Sequence, residues 1–349
     1  RLAVAGGGAV LLAFDLIPEA LSHPAAPVSA CLSAPAPQAD GRAAARLEPP
    51  RHGAYLGASA PGLPDCTDAL ERWNSKVGRS LAIVHWYQRW HAPDSEFPTA
   101  SVADVAAHEA VPMISWEPWS GDAHASAISL QAIAGGRQDR YVRAWAKEAA
   151  EYGQPILLRP MHAMNGNWFP WAVTERGNSP RLFVQAWRRI HRLFEQEGAT
   201  NVSWVWSVSS FSGLVRDNRD LRTYYPGAAY VDWVGLSAFN WGTTDAFGAW
   251  RSPDALLGPT YRALAPFGKP IMVAEIGTVD EGGDPTAWVR RALRAAEREY
   301  PRLDALVWFD YRQTPRADFR IRGSLATAMR AEVVRSRHWG AHPAVTPSA

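Results

Sequence analysis

Eight short apolar runs, separated by amphipathic stretches, constrain the fold of this chain more than any other feature. They read HGAYLGAS (52–59), LAIVHWY (81–87), VPMISWEPW (111–119), PILLRPMH (155–162), VSWVWSVS (202–209), VDWVGLSAFN (231–240), PIMVAEIG (270–277) and LDALVWFDY (303–311). Their near-continuous Val, Ile and Leu content fits strands buried on both faces, as in a parallel sheet. The intervening stretches carry helical signals. CTDALERWNSKVG follows the first run, and DPTAWVRRALRAAEREYP precedes the eighth. Before the fourth, Tyr141, Trp145, Ala149 and Tyr152 recur at three- and four-residue spacing. Before the fifth, Ser179 is placed as an N-cap, Pro180 opens the helix and Gly198 lies just past its end. Eight β units with helices between them predict an α/β fold, a (β/α)8 TIM barrel, as one domain over residues 51–335. The competing doubly wound sheet normally shows a Gly-rich phosphate turn after its first strand, and none is present.

The ends of the chain have a different texture. RLAVAGGGAVLLAFDLIP sets an arginine before an apolar stretch of about a dozen residues, the layout of a signal peptide and too short to span a bilayer. The Ala/Pro-rich segment that follows reads as a linker. Residues 1–50 are therefore expected to be leader and linker, residues 336–349 a tail, and the protein secreted or held at the cell surface. Export would permit a Cys31–Cys66 disulfide between the only two cysteines; two free thiols is the alternative.

The 36 basic and 34 acidic residues are mixed along the chain, so nothing points to nucleic acid or an acidic membrane. No protein partner is implied, and a monomer is expected. His85, His91 and His162 lack zinc-binding spacing, and neither metal nor cofactor is expected. Tryptophan is the outlier, with 17 residues, many of them near the ends of the apolar runs. In a TIM barrel the chemistry sits at the C-terminal ends of the strands. Those ends carry Trp86, Tyr87, Trp116, Glu117, Trp119, Arg159, His162, Asn165, Trp206, Phe239, Asn240, Trp241, Glu275, Trp308 and Asp310. Aromatic faces beside hydroxyl-gripping polar groups suit sugar rings. Glu275 closes an apolar run, where an unpaired carboxylate is costly to bury, so it reads as a nucleophile or as the ion-pair partner of Arg159. Retaining glycosidases need two carboxyl groups roughly 5 Å apart. The second is expected at the end of the fourth run, where Ala163 stands.

The segment RPMHAMNGNWFPW (159–171) is similar to the fourth-strand hallmark of glycoside hydrolase family 26, a clan-A family of β-mannanases, mixed-linkage β-glucanases and β-1,3-xylanases. Arg159, Pro160, His162, Asn165, Gly166, Trp168, Phe169 and Trp171 match it. VDWVGLSAFNWG, MVAEIGT and VWFDYRQTPRADFRI resemble the family's sixth, seventh and eighth strands, and the likeness extends over about residues 53–325. HWYQRW and SWEPW are closer to the lichenase branch.

The resemblance implies an endo-acting, retaining β-glycanase acting on β-linked polysaccharide or oligosaccharide. Glu275 would be its nucleophile, and His162 and Trp168 would grip the sugar at the scissile bond. Arg159 would orient the nucleophile and Asn165 shape the loop. Trp86, Trp116, Trp168 and Trp308 would be stacking platforms, Trp308 flooring the cleavage subsite. Two positions depart from the family. Ala163 occupies the acid/base position, and Phe239 stands where many members carry a tyrosine that steadies the nucleophile. Ala163 fits an engineered inactivation and equally a natural, non-catalytic glycan-binding member; a third reading lets Glu117 or Glu175 act as the acid.

Overall fold

The computed structural model describes residues 46–90, 95–119, 128–173, 177–210, 220–244 and 248–343. All eight runs are strands: β1 (Tyr55–Ser59), β2 (Ile83–Arg89), β3 (Val111–Glu117), β4 (Ile156–Pro160), β5 (Val202–Ser209), β6 (Trp233–Asn240), β7 (Ile271–Thr278) and β8 (Leu303–Phe309). They close in sequence order into a parallel barrel, with β1 pairing β8. Helices α1 (Thr67–Val77), α2 (Thr99–Ala107), α3 (Leu130–Ala134), α4 (Asp139–Tyr152), α5 (Pro180–Gln196), α6 (Pro253–Leu264), α7 (Pro285–Arg298) and α8 (Gly323–Arg335) form the outer layer. The expected TIM barrel is the observed fold. Among the described residues the β5–β6 connection holds only short 3-10 turns.

The helices form where local chemistry asks for them. Ser179 accepts the Leu182 amide at 3.2 Å and Pro180 opens α5. The buried stripe Phe183, Ala186, Trp187, Ile190 and Phe194 then seats that helix on the barrel. Gly198, at φ +76°, lets the chain turn away where a side chain would be strained.

Two apolar layers result. One fills the lower lumen, with Ile83, Met113, Leu157, Val205, Trp233 and Met272 meeting from different strands. The other lies between strands and helices and holds most of the tryptophans. The floor extends beyond residues 51–335. Leu47 donates its amide to Ser203 Oγ at 2.8 Å, its carbonyl accepts Trp233 Nε1 at 3.1 Å, and Arg46 pairs with Asp232 at 2.9 Å. From the other end, the His338 carbonyl accepts the Ala54 amide at 2.7 Å and Trp339 is buried. Cys66 is disulfide-bonded; Cys31, the other half of the expected pair, lies outside the described residues, as does the signal-like leader.

One irregularity decides what the barrel can do. Leu236 pairs with Val273 but Ser237 pairs with Glu275, so Ala274 is an extra residue in β7. Strict alternation would send Met272 inward, Val273 outward, Ala274 inward and Glu275 outward into the helix layer. The bulge resets the alternation, so that Glu275 faces the lumen and Ile276 the helices.

Candidate active site

The upper lumen is polar where the lower is apolar. Arg159 on β4 is fully buried, and its guanidinium reaches three strands. Nη1 donates to Ser115 Oγ on β3 at 2.9 Å; Nη2 donates to Ser237 Oγ on β6 at 2.8 Å and to Glu275 Oε2 on β7 at 2.6 Å. The Ser237 hydroxyl donates to the same Glu275 oxygen at 2.5 Å, and His85 Nε2 shares a hydrogen bond with Ser115 at 2.7 Å. The other carboxylate oxygen, Oε1, accepts the hydroxyl of Tyr87 on β2. Glu275 is thus oriented by a guanidinium and two hydroxyls from three other strands. Burial pushes its carboxyl up, to about 8, and the three donors oppose that by favouring the charged form. Arg159 thus makes the contact with Glu275 that an orienting part would need. The hydroxyl missing at Phe239 is supplied instead by Tyr87, a strand-end residue to which the sequence assigned no such role.

β4 stops at Pro160 because Met161 and Ala163 adopt left-handed backbone, at φ +49° and +51°. For residues with a Cβ this costs roughly 1–2 kcal/mol each, and the surroundings hold it in place. Met161 N donates to the Trp116 carbonyl at 3.2 Å, Ala163 N to the Ser207 carbonyl at 2.9 Å, and Gly166 N to the Ala163 carbonyl at 2.9 Å. Strained backbone that is held in this way clusters at working sites. Asn165 is almost completely buried and spends its amide on Ser209, accepting from its N–H at 2.8 Å and donating to its carbonyl at 3.0 Å. It pins the loop to β5 and is not a sugar ligand. Trp171 Nε1 closes the loop on the His162 carbonyl at 2.7 Å. A Cβ at Gly166 would lie 2.5 Å from the Trp168 ring, so a larger residue there would push that ring aside.

The aromatic walls differ from the expected ones. Trp116 and Trp308 are completely buried and Trp86 nearly so, all facing the helix layer. Trp116 packs on Trp90, Tyr141 and Trp145, and Trp308 on Trp288 of α7. None of the three is a stacking platform, because each occupies an outward position one residue from an inward one. The other aromatics near the strand ends form two groups, in which only Trp168, Phe239, Trp241 and Tyr311 are part-exposed. Beside β3 and β4, half-buried Trp168 adjoins Phe169, which stacks on Trp171 at 4.4 Å with Trp119 edge-on to both. Above β6 to β8, half-buried Phe239, Trp241 and Tyr311 surround Phe309 and Phe319. Asp310 points outward, its oxygens taken by Trp73, Lys76 and the Ile321 amide. Of the remaining candidates, Glu117 ends β3 at the rim, whereas His91 and Glu175 lie outside the described residues. Among the described residues no three His, Cys, Asp or Glu side chains converge as a metal would require.

Residues 129–277, a span holding both Ala163 and Glu275, match the sequence pattern of Glycosyl hydrolase family 26. The chain belongs to that family. Endoglucanase H of Acetivibrio thermocellus is 33% identical over 266 residues, 75% of this chain and 28% of that protein. A mannan endo-1,4-β-mannosidase of Bacillus subtilis is 31% identical over 173 residues, 47% of this chain and 41% of that one. The chain thus spans less than half the length of either relative. Among solved structures, the catalytic domain of a Bacillus sp. JAMB-750 family 26 endo-β-1,4-mannanase superposes with a TM-score of 0.63 at 16% identity, covering 83% of this chain and 87% of that one. A modular endo-β-1,4-mannanase from Cellulomonas fimi gives 0.62 at 19%, covering 85% and 75%. At those identities the structures speak for the fold alone. Family membership makes this a glycoside hydrolase barrel, and the paired Glu275–Arg159 centre lies at the face where such barrels do their chemistry.

Proposed function

We propose that this chain is an endo-acting, retaining β-glycanase whose nucleophile is intact and whose direct proton donor is absent. The observation carrying the reading is the lumen-facing Glu275 carboxylate, held by Arg159, Ser237 and Tyr87, set against the methyl group of Ala163 on the neighbouring loop. In the full cycle Glu275 attacks the anomeric carbon, forms a glycosyl ester, and water releases it. A sugar leaving group must depart as an alkoxide unless something protonates it, and general acid help is worth about 10²–10⁴ in rate. The chain therefore binds unactivated polysaccharide and cuts it slowly. The match to an endoglucanase over 75% of the chain, against 47% for a mannosidase, favours mixed-linkage β-glucan, then β-mannan, then β-1,3-xylan. A polymeric substrate also favours an exported protein, in keeping with the arginine-led apolar N-terminus.

The same alanine favours a second reading, a barrel that holds glycan without cutting it. Ala163→Glu decides between them. Assayed on lichenan and mannan, it is expected to raise turnover by about 10²–10⁴; a folded variant at background on every β-glycan tried refutes the enzyme reading. Azide with an aryl glycoside bearing a good leaving group checks the nucleophile separately, because azide needs no base. The glycosyl azide is the expected product.

A further inference from the structure

One buried carboxyl at the mouth takes no part in the chemistry derived so far. Glu117, the last residue of β3, is completely buried. Its Oε2 accepts the Trp119 indole N–H at 3.0 Å and lies 3.9 Å from Arg89 Nε. Its Oε1 has no hydrogen-bond partner among the described residues and sits 4.0 Å from His162 Nε2. The other nitrogen of that ring, Nδ1, is also buried and also lacks a partner among the described residues. An unmatched buried polar atom costs about 1–3 kcal/mol. Here two belong to a pair that faces across one short gap, at adjacent strand ends, and one member immediately precedes Ala163. The His162 ring centre is 6.0 Å from that of Tyr87, whose hydroxyl holds Glu275, so the pair adjoins the reacting centre.

The charged and titratable groups facing the pair are Arg89 and His85 from β2 and Arg159 from β4. Burial pushes the Glu117 carboxyl up, to about 7, against the pull of the Trp119 bond, Arg89 and Arg159. Burial, then Arg159 and His85, hold His162 well below its ordinary value. Below about pH 7 a carboxylic acid therefore confronts a neutral imidazole whose lone pair can receive a proton.

We propose that Glu117 and His162 form a proton relay that partly replaces the acid missing at position 163. The proposal rests on Glu275 being the nucleophile. The relay requires substrate to open a path to the buried Nδ1 of His162: neutral, with its hydrogen there, the ring gives that proton to the glycosidic oxygen as the C–O bond breaks and the Glu275 carboxylate bonds to the anomeric carbon. The O–H of Glu117 passes its proton to Nε2. The aglycone leaves as an alcohol, His162 stays neutral, and the negative charge moves from Glu275 to Glu117. In the second half water attacks the anomeric carbon, yields a proton to Nδ1, and Nε2 returns its own to Glu117 as the ester opens. Glu117 touches no substrate; it is a positioning residue that acts through His162. Catalytic hydrogen bonds are commonly long before substrate arrives, and because a 4.0 Å gap must close the relay is expected to be slower than a direct acid.

The test compares lichenan with a dinitrophenyl β-cellobioside, whose leaving group needs no proton, in the wild type and in Glu117→Gln. The amide keeps the shape and can still accept from Trp119. The ratio of lichenan to aryl-glycoside turnover is expected to fall about tenfold or more in the variant. The alkaline fall of the wild-type lichenan rate, absent with the aryl glycoside, should vanish with it. An equal loss on both substrates marks Glu117 as merely structural and overturns the relay. So does a ratio that does not move, or a wild type that cleaves the aryl glycoside but never lichenan; in those cases Glu275 keeps its role. A wild type inert to both removes relay and nucleophile together. If Glu117→Gln does not fold, Glu117→Asp, which retains the acid but withdraws it from His162, is read by the same ratio.

Discussion

Tyr87→Phe removes a single hydroxyl and should change how Glu275, the proposed nucleophile, ionises. In the intact protein that hydroxyl donates to Glu275 Oε1, while Arg159 and Ser237 serve Oε2. Only the carboxylate gains fully from such a donor, so its loss raises the carboxyl pKa. A hydrogen bond to a charged group is worth about 1.5–3 kcal/mol net. Each pKa unit corresponds to about 1.4 kcal/mol, which makes the expected shift roughly one to two units. Burial has already carried Glu275 above the ordinary carboxylate range, to about 8. The ascending limb of kcat/KM with an activated aryl glycoside should therefore lie at unusually high pH in the wild type and higher still in the variant. At a pH below both limbs the variant is expected to be slower by about 10–100-fold, with much of the loss recovered at high pH. The assay is initial-rate hydrolysis of the aryl glycoside across pH, with a thermal melt to confirm folding. An equal drop at every pH, with the limb unmoved, refutes the electrostatic argument and leaves Tyr87 only a steric part. No change at all would mean that the hydroxyl does not serve Glu275.

Two further outcomes follow from burial. Trp308→Ala should cost stability, about 3–5 kcal/mol, with little specific loss of affinity, because that ring is completely buried against Trp288. Trp168→Ala should do the reverse, weakening oligosaccharide binding by about 1 kcal/mol or more at nearly constant melting temperature; isothermal titration and calorimetry separate the two. The buried carboxyls also tilt stability with pH. Glu275 and Glu117 sit near 8 and 7 in the folded protein against an ordinary value of 4.5. The unfolded chain thus releases those protons first, and the stability they contribute is full below pH 4.5 and drains away as pH rises through 7 and 8. Glu275→Gln should flatten the upper part of that slope in melts from pH 5 to 9; an unaltered slope would show that Glu275 carries no raised pKa.

How far the sequence could be read depends on which physical signal was asked for. The barrel was legible because strands buried on both faces and separated by capped amphipathic helices have few other solutions. Arg159 and Glu275 were legible because a charge inside an apolar run demands a partner. The direction of the tryptophans was not. When both faces of a strand are buried the period-2 signal disappears, so Trp86, Trp116 and Trp308 look the same as lumen-facing residues while pointing at the helices. Asn165 belonged to the right loop, but only the structure shows its amide spent on Ser209. Tyr87 was visible at a strand end, yet its contact with Glu275 spans 188 residues of sequence, and no local pattern records that.

The extra residue in β7 gives the site an uneven exposure to evolutionary change. With Ala274 present, the heading of Glu275 is a matter of residue count, and composition hardly enters into it. Dropping one residue between Met272 and Glu275 would act on the strand much as a frameshift acts on a message, exchanging inside for outside at every later position. On the proposed reading the position of the proton donor, in the loop after β4, has no such protection, since one substitution there removes the direct acid and leaves the scaffold untouched. On that reading a chain with this barrel can lose and regain fast cutting by a single step at position 163, while the aim of Glu275 is locked behind an insertion that no substitution can undo.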